Sequence, residues 1–280
     1  MHRSSIYLLW FGLLLWVVWA CEKESLLPRA ELPGSSYFPT ELGAETFYRL
    51  DSIVLRPEVG GIRYDSVLLE VREVLADTLR DLEGKLWYRG ERYDRRLGST
   101  DWRFRQSFLL RRERERAYRS EDNLEFVKLV FPARVNTRWD GNRAFDDNRF
   151  FSIGGERIQL FQAWNYRYLS LDEAGQVGEI TYDSLLVVEG VDYDEGYNRR
   201  YYRETYAARV GLVAREMEVF DTQCRDCCFN QEQVDENGNP VVVVVARRQV
   251  DGRDTLINCV DLPWNEKAEG GLLLKQWRIE

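Results

Sequence analysis

Four cysteines near the C-terminal end have the spacing that most clearly predicts covalent chemistry in this sequence: Cys224, Cys227, Cys228 and Cys259. An even number of cysteines in an exported chain is typical of disulfide bonds, and four cysteines allow three connectivities. A bond between the adjacent Cys227 and Cys228 would strain the peptide that joins them. We therefore predict that one of this pair bonds to Cys259, while the other bonds to Cys224 or stays free.

Two other chemistries compete with the disulfide for these cysteines. A structural zinc site would use four thiolates, but the sequence has Cys-x-x-Cys-Cys and one distant cysteine in place of a second Cys-x-x-Cys. A redox-active Cys-x-x-Cys needs a strand-to-helix unit that the sequence does not show. The pattern favours a disulfide and indicates no metal site and no cofactor.

The fifth cysteine, Cys21, stands where an N-terminal apolar run ends. The run covers residues 6–20 and follows His2 and Arg3. It is shorter than the roughly 20 apolar residues needed to cross the hydrocarbon core of a bilayer. A positive start, a short apolar middle and a small residue at the end are typical of a secretory signal peptide. We therefore predict that residues 1–20 direct export.

The residues at that boundary resemble the bacterial lipobox, in which the cysteine thiol is acylated before the signal is cleaved. Ala20 is the small residue before the cysteine and Val18 takes the apolar position, whereas Trp19 is larger than the residue usual there. The alternatives are a plain signal peptide with an incidental cysteine and an uncleaved anchor helix. The resemblance implies that Cys21 carries acyl chains such as palmitate, each methylene contributing about 0.8 kcal/mol to membrane binding.

The only histidine of the chain, His2, lies within the predicted signal. A mature chain without imidazole cannot use Ser-His-Asp or Cys-His catalysis, a histidine general base or a histidine-ligated zinc ion. Paired carboxylates, as in glycosidases, remain possible, but no pair stands out among the 47 Asp and Glu residues. The formal net charge of −8 disfavours nucleic acid as a partner.

Beyond the signal, the sequence predicts a tether and one folded domain. Residues 21–36 contain two prolines and end in Gly-Ser-Ser, a composition typical of a flexible linker. Residues 37–280 are predicted to form a single β-rich domain with a cysteine-containing hairpin region near its C-terminal end. High aromatic content and scarce methionine favour strands over a helical bundle.

Alternating apolar and polar residues predict strands along most of this domain. In segment 101–110, Trp102, Phe104, Phe108 and Leu110 fall on one face, with arginines and a serine on the other. Strands are also predicted at 46–55, 64–75, 85–95, 124–131, 156–171, 182–193, 200–220, 240–250 and 272–279, with the charged run 109–119 as the outer end of one long strand. Short polar turns separate most of them. We predict an all-β fold, an antiparallel sheet curled into a barrel-like or sandwich architecture.

One aromatic row is a candidate binding surface. Trp164, Tyr166 and Tyr168 alternate, so they share one face of a predicted strand. Such a row could stack against sugar rings. The alternative is core packing, because aromatic residues favour strands and dominate cores.

Short motifs in order along the chain resemble those of uncharacterised lipid-anchored envelope lipoproteins of Bacteroidota. The motifs are Tyr37-Phe38-Pro39, Gly43, Tyr48, Asp51-Ser52, Phe131-Pro132, Trp139-Asp140-Gly141-Asn142, Tyr206-Ala207, Gly211-Leu212-Val213, Thr222-Gln223-Cys224, Leu262-Pro263-Trp264 and Glu266-Lys267-Ala268-Glu269-Gly270. The resemblance implies a lipid-anchored, β-rich envelope protein. It implies no activity and no catalytic residues.

The sequence Glu22-Lys23-Glu24 directly after the predicted lipidation site resembles the signal that takes lipoproteins of this group to the cell surface. A merely polar tether would also explain these charges. We expect an outer-membrane lipoprotein, with the cell surface favoured over the periplasmic face.

These patterns together predict a non-catalytic binding or envelope-structural module of unknown ligand. Besides the membrane, the expected partner is a glycan or another envelope protein. The alternative is a carboxylate-based hydrolase that acts on surface glycans.

Overall fold

The computed structural model describes residues 32–223 and 228–280. The predicted signal, Cys21 and most of the predicted tether lie outside these ranges, as do two disulfide candidates, Cys224 and Cys227. Contacts define one unit from Leu32 to Glu280, which begins before the predicted domain start at residue 37. The fold is nearly all β, with 64% of residues in strands and 4% in helices, which confirms the predicted fold class.

The described part of the chain contains seventeen strands, one short α-helix and two 3₁₀ turns, at Ser35–Tyr37 and Cys259–Asp261. The strands and the α-helix are β1 (Glu45–Glu58), β2 (Gly61–Arg80), β3 (Leu86–Arg96), β4 (Arg103–Arg112), β5 (Arg116–Glu121), β6 (Leu124–Val130), β7 (Arg138–Trp139), β8 (Phe151–Ile153), β9 (Glu156–Ile158), β10 (Tyr166–Val177), β11 (Ile180–Asp194), β12 (Asn198–Ala207), β13 (Gly211–Asp221), β14 (Phe229–Val234), β15 (Pro240–Val250), β16 (Arg253–Asn258), α1 (Trp264–Lys267) and β17 (Gly270–Arg278). No helix in these ranges has the length and apolar character that crossing a membrane requires.

Twelve strands form one antiparallel sheet in the order β6-β5-β4-β3-β2-β1-β17-β13-β12-β11-β10-β7. The sheet contains two meanders, β1 to β6 and β10 to β13, and the last strand of the chain lies between them. Strand β17 pairs with β1 on one side and with β13 on the other. The sheet nearly closes into a barrel.

The two edges of the sheet meet at β6 and β7. The backbone N–H of Val127 donates to the carbonyl of Gly141 over 2.8 Å, and the indole Nε1 of Trp139 donates to the Val127 carbonyl over 2.8 Å. The Tyr168 hydroxyl donates to the Val130 carbonyl over 2.7 Å and accepts from the Val130 N–H over 2.8 Å. Side chains therefore complete much of the hydrogen bonding at this edge.

A large apolar cluster fills one part of the interior. Its buried members come from β5, β6, β10, β11 and β12, and from the segments beside them: Tyr37, Phe38, Ala117, Leu129, Phe131, Ala133, Tyr166, Tyr168, Leu186, Val188, Val191, Tyr202 and Tyr206. Aromatic rings supply much of this buried surface, which suits a sequence rich in aromatic residues.

Gly90 on β3 lies directly across from Phe108 on β4. A Cβ atom at Gly90 would lie 2.1 Å from Cζ of Phe108, so only glycine leaves room for the ring. The ring in turn lies 4.0 Å from the guanidinium carbon of Arg119, measured to the ring centroid. This glycine therefore lets an aromatic ring lie flat beside an interior arginine.

The N-terminal segment 32–44 is hydrogen-bonded to several parts of the barrel. The carbonyl of Ser36 accepts from the N–H of Arg209 over 2.7 Å, in the turn between β12 and β13. The hydroxyl of Tyr37 lies 2.6 Å from Asp172 Oδ1 and 2.5 Å from Ser184 Oγ. Since the Tyr37 side chain is buried, these bonds fix the segment against the end of the barrel.

A second, three-stranded sheet, β14-β15-β16, follows β13 in sequence. A disulfide joins Cys228 to Cys259, with Cα atoms 6.1 Å apart, which confirms the predicted disulfide bond and selects Cys228 of the adjacent pair. Ala246, Leu262 and the fully buried Cys259 form a small core of their own here. Strands β15 and β16 form the expected hairpin.

Three predicted continuous strands are wrong. The run 156–171 divides into β9 and β10, with residues 159–165 outside any strand, and each of the other two contains a tight turn. The run 200–220 divides into β12 and β13 around residues 208–210, where Arg209 has a φ of 65°. This turn contains no Gly-Asn or Asp-Gly signal, and its contact with Ser36 is made only in the folded protein. The charged run 109–119 divides in the same way, because the N–H of Glu113 donates to the Arg116 carbonyl and closes a turn between β4 and β5.

Candidate binding site in the barrel interior

The strands bring seven charged side chains together inside the barrel. They come from β2, β3, β5, β6, β12 and β13: Glu73, Arg92, Arg119, Glu121, Lys128, Glu204 and Arg215. Alternate residues of a strand point to the same face of the sheet, so Glu73, Lys128 and Glu204 share the inner face with apolar or aromatic neighbours two positions away. We call this set the interior charge cluster.

One half of the cluster is centred on Glu73. Arg119 donates to both carboxylate oxygens, with Nη2 2.8 Å from Oε1 and Nη1 3.1 Å from Oε2. Arg92 adds a bond from Nη1 to Glu73 Oε1 over 3.3 Å and one from Nη2 to Gln276 Oε1 over 3.3 Å. The Nε of Arg119 also donates to Glu121 Oε2 over 2.8 Å. Two-pronged arginine–carboxylate pairing of this kind fixes both side chains in orientation.

The other half is centred on Glu204, which is fully buried. Lys128 Nζ lies 2.8 Å from its Oε1, and Arg215 Nε donates to the same atom over 3.2 Å. The hydroxyls of Tyr202 and Tyr206 donate to Oε1 over 2.5 Å and to Oε2 over 2.8 Å. Both oxygens of a carboxylate without access to water are thus satisfied by protein groups.

Arg215 joins the two halves, because its Nη1 lies 3.5 Å from Glu121 Oε1. It therefore contacts a carboxylate of each half. Several of the pairs connect residues that are far apart in sequence, such as Glu73 and Arg119, 46 positions apart, and Arg92 and Gln276, 184 positions apart. Only closure of the sheet can form such a cluster.

Burial and neighbouring charges shift the pKa values of the three carboxyl groups in opposite directions. Burial alone would raise the pKa of Glu204, but Lys128 and Arg215 together lower it to about 2. Burial also opposes ionisation of Glu73 and Glu121, yet Arg119 and its neighbours keep the pKa of both carboxyl groups below the usual range. All three carboxyl groups are therefore carboxylates at neutral pH.

Burial also shifts the pKa values of the cations and tyrosines in the cluster. Burial lowers the pKa of Lys128 despite the contact with Glu204, and burial likewise lowers the pKa of Arg92. The hydroxyls of Tyr202 and Tyr206 have pKa values well above the ordinary value, chiefly because they are buried. These two tyrosines therefore stay neutral and act as hydrogen-bond donors.

A cavity of about 240 Å³ borders the cluster. Arg119, Lys128 and Arg215 form part of its wall together with Tyr48 and Phe108. Its lining also includes the N-terminal segment near Phe38 and Pro39 and the β12–β13 turn near Arg209. The cavity thus lies between the interior charge cluster and the end of the barrel that carries the N-terminal segment.

A second cavity of about 330 Å³ also includes Lys128 and Arg215 in its lining. Its other walls are mainly apolar and come from β6, the segment 151–166, β12 and β13: Leu124, Phe126, Phe151, Leu160, Phe161, Trp164, Tyr166, Tyr202 and Met217. The same two cations therefore border both cavities.

The predicted aromatic row lies on the interior side of the sheet. Trp164 and Tyr166 line the second cavity, and the Trp164 ring lies 4.4 Å from the Tyr202 ring between centroids. Tyr168 is fully buried at the junction of β6 and β10. Rings already packed against one another in this way belong to the hydrophobic core.

The interior charge cluster was missed by the sequence analysis, although it leaves a signal. Four of its seven members interrupt an apolar series with period two: Val71-Glu73-Leu75, Phe126-Lys128-Val130, Tyr202-Glu204-Tyr206 and Val213-Arg215-Met217. A charge at the centre of such a series is placed on the buried face by its neighbours. It then needs an opposite charge or a hydrogen-bond partner from another strand.

Among the residues that the structure describes, no three histidine, cysteine or carboxylate side chains are arranged to hold a metal ion. No protein-family model matches the sequence, and no curated protein matches it either. The charges and cavities of the barrel interior are therefore the features from which a function can be inferred.

Proposed function

We propose that this protein is a lipid-anchored outer-membrane module that binds a small ligand in the barrel cavity without transforming it. The observation that carries the proposal is the cavity of about 240 Å³, whose wall includes three buried cations of the interior charge cluster. Ligand sites in proteins are mostly preformed concave spaces with apolar walls and a few polar groups that fix orientation.

The ionisation of the cluster supports binding over hydrolysis. A glycosidase needs one carboxyl group held protonated as a general acid beside a second one that is ionised. Glu73, Glu121 and Glu204 are all kept ionised by their cationic neighbours. The interior therefore favours the binding module over the carboxylate-based hydrolase.

The location is proposed from the sequence. The lipobox-like residues before Cys21 support acylation, and the charged residues that follow support display on the cell surface. An acylated N terminus would hold the barrel close to the membrane through the chain that leads to Leu32. A glycan fragment or another small molecule of the envelope would then reach the cavity from the surrounding fluid.

The cavity proposal can be tested with a variant that fills it. Leu212 lines the cavity, so we expect Leu212→Trp to occupy part of its volume. Leu273 on β17 is a matched control, because it lies on the same sheet and does not line the cavity. The measurement is the shift in the thermal unfolding temperature of the full-length protein in detergent when each compound of a small-molecule library is added.

We expect compounds that stabilise the wild-type protein to stabilise Leu273→Trp equally and Leu212→Trp much less. The proposal fails if no compound stabilises the wild-type protein, or if stabilisation persists undiminished in Leu212→Trp.

A further inference from the structure

We propose that the cavity ligand is a small organic monoanion whose carboxylate is held by Arg215 and Lys128. This inference rests on the proposed function of the same cavity and adds the chemical class of its ligand. The charge balance of the cluster, one unpartnered guanidinium nitrogen and the walls of the cavity support it.

The charge balance of the interior is positive. Three carboxylates, Glu73, Glu121 and Glu204, face four cations: Arg92, Arg119, Lys128 and Arg215. One positive charge is therefore without a counter-charge inside the cluster. Burying an unbalanced charge is costly, and an anion that entered would remove that cost.

Arg215 is the cation with unused hydrogen-bonding capacity. Only 9% of the residue is exposed, and its Nη2 atom has no hydrogen-bond partner among the described groups. Its Nε and Nη1 atoms already face Glu204 and Glu121. A guanidinium group binds a carboxylate best with its nitrogen donors arranged as a fork, and Nη2 is the buried donor of this cavity-lining residue that lacks a partner.

Lys128 is the second cation that borders the same space. Its ammonium group has three donors, of which Glu204 and Tyr202 account for two. Burial depresses the pKa of this ammonium group. A carboxylate beside it would act in the opposite direction and favour the charged form.

The charged residues of the cavity lining outside the interior charge cluster add no net charge. These residues are Arg209 and Arg278 with Glu41 and Glu45. The excess of five cationic over three acidic residues in the lining therefore comes from cluster members, Arg119, Lys128 and Arg215 beside Glu73. An excess of positive charge around a concave opening attracts anions from solution. The protein as a whole has a net charge of −8, so this local excess runs against the overall balance.

The apolar walls and the volume of the cavity limit the polarity and the size of the rest of the ligand. Leu75, Phe108, Leu110 and Leu212 give the cavity an apolar side. The volume of about 240 Å³ is below the roughly 300–1,000 Å³ typical of pockets for drug-sized molecules. We therefore infer a carboxylate on a short aliphatic or aromatic body. A phosphate with two charges would exceed the single unbalanced charge.

The experiment compares charged and neutral ligands of the same shape. Binding of benzoate, hexanoate and acetate to the full-length protein in detergent is measured by calorimetry at constant ionic strength. Benzamide and hexanamide are the neutral counterparts, and phenyl phosphate is the dianionic one. We expect benzoate or hexanoate to bind at least about tenfold more tightly than its amide and more tightly than phenyl phosphate.

The variant Arg215→Lys keeps the charge and removes the fork, so we expect it to weaken carboxylate binding about tenfold or more. Arg203→Lys is the matched control, because Arg203 on β12 pairs with Glu189 on β11 and does not line the cavity. We expect this control to bind as the wild-type protein does. Thermal unfolding in the absence of ligand shows whether each variant is folded.

Comparing carboxylates with amides on the wild-type protein tests the anion, and Leu212→Trp shows whether the binding takes place in the cavity. Equal binding of amides and carboxylates, lost in Leu212→Trp, would leave the cavity as a binding site and refute the anion. Tighter binding of phenyl phosphate would also refute a monoanion. The inference is equally overturned if no carboxylate binds while other library compounds do. Absence of any ligand for the cavity would instead refute the proposed function.

Discussion

Lys128 and Glu204 form an ion pair inside the barrel, with Nζ 2.8 Å from Oε1 and both side chains almost wholly buried. Lys128 is on β6 and Glu204 is on β12, so the pair bridges the interior between strands of the two meanders. Removing one partner of such a pair leaves the other charge buried without compensation, which costs far more than the pair itself contributes.

We therefore predict that Lys128→Met lowers the free energy of unfolding by about 3–5 kcal/mol. Lys275→Met on β17 is the control, because Lys275 is exposed and its loss should change stability by less than about 0.5 kcal/mol. Urea unfolding followed by tryptophan fluorescence measures both. The double variant Lys128→Met with Glu204→Gln should recover part of the loss. A Lys128→Met variant as stable as wild type would contradict the pairing.

The cluster also predicts how stability depends on pH. Burial opposes ionisation of Glu204, but Lys128 and Arg215 lower its pKa from the ordinary 4.5 to about 2 in the folded protein. The folded state thus binds fewer protons than the unfolded state between these values, so its stability is fully present above about pH 4.5 and is lost as the pH falls towards 2. At about 1.4 kcal/mol per pKa unit, Glu204 accounts for roughly 3 kcal/mol.

The pKa values of Glu73 and Glu121 are also lowered, so protonation of these groups should add to the loss of stability in acid. Urea unfolding at a series of pH values from 7 to 2.5 measures it, and Glu204→Gln should show a shallower fall below pH 4.5. Stability that stays constant throughout this acid range would be incompatible with the ionised cluster.

The disulfide should stabilise one part of the fold selectively. Cys228 and Cys259 are 31 positions apart, and the chain-entropy model gives a loop of that size roughly 3–4 kcal/mol. The loop contains β14, β15 and β16, whereas the twelve-stranded sheet lies outside it. We predict that reduction increases amide hydrogen exchange in β14–β16 and leaves β10–β13 protected. Equal loss of protection in both sheets would contradict this prediction and show that the whole fold depends on the disulfide.

Acylation at Cys21 predicts the behaviour of the protein in membranes. Cys21→Ser should abolish labelling by radioactive fatty acid and move the protein from the membrane to the soluble fraction, because the anchoring acyl chains are lost. Cys259→Ser is the control, since it removes a cysteine of the folded domain that is bonded to Cys228 and should keep both label and location. Continued membrane retention of Cys21→Ser would rule out the lipid anchor.

Some properties of this protein follow from the sequence alone. Alternation of apolar and polar residues was sufficient to predict an all-β fold, because strand periodicity is a local property of the chain. Composition alone excludes imidazole chemistry from residues 3–280, since His2 is the only histidine. The cysteine count predicted a disulfide to Cys259, because two adjacent cysteines leave few sterically allowed pairings.

The tertiary structure decided the turn at Arg209 and the interior charge cluster. The turn contains no strong local signal and is held by the N-terminal segment at Ser36. Glu204 and Lys128 look from sequence like interruptions of apolar strands, and their pairing exists only when β6 and β12 face one another across the barrel. Which charges meet is a non-local property, because strand order and closure of the sheet determine it, whereas the sequence pattern specifies only which face each side chain takes.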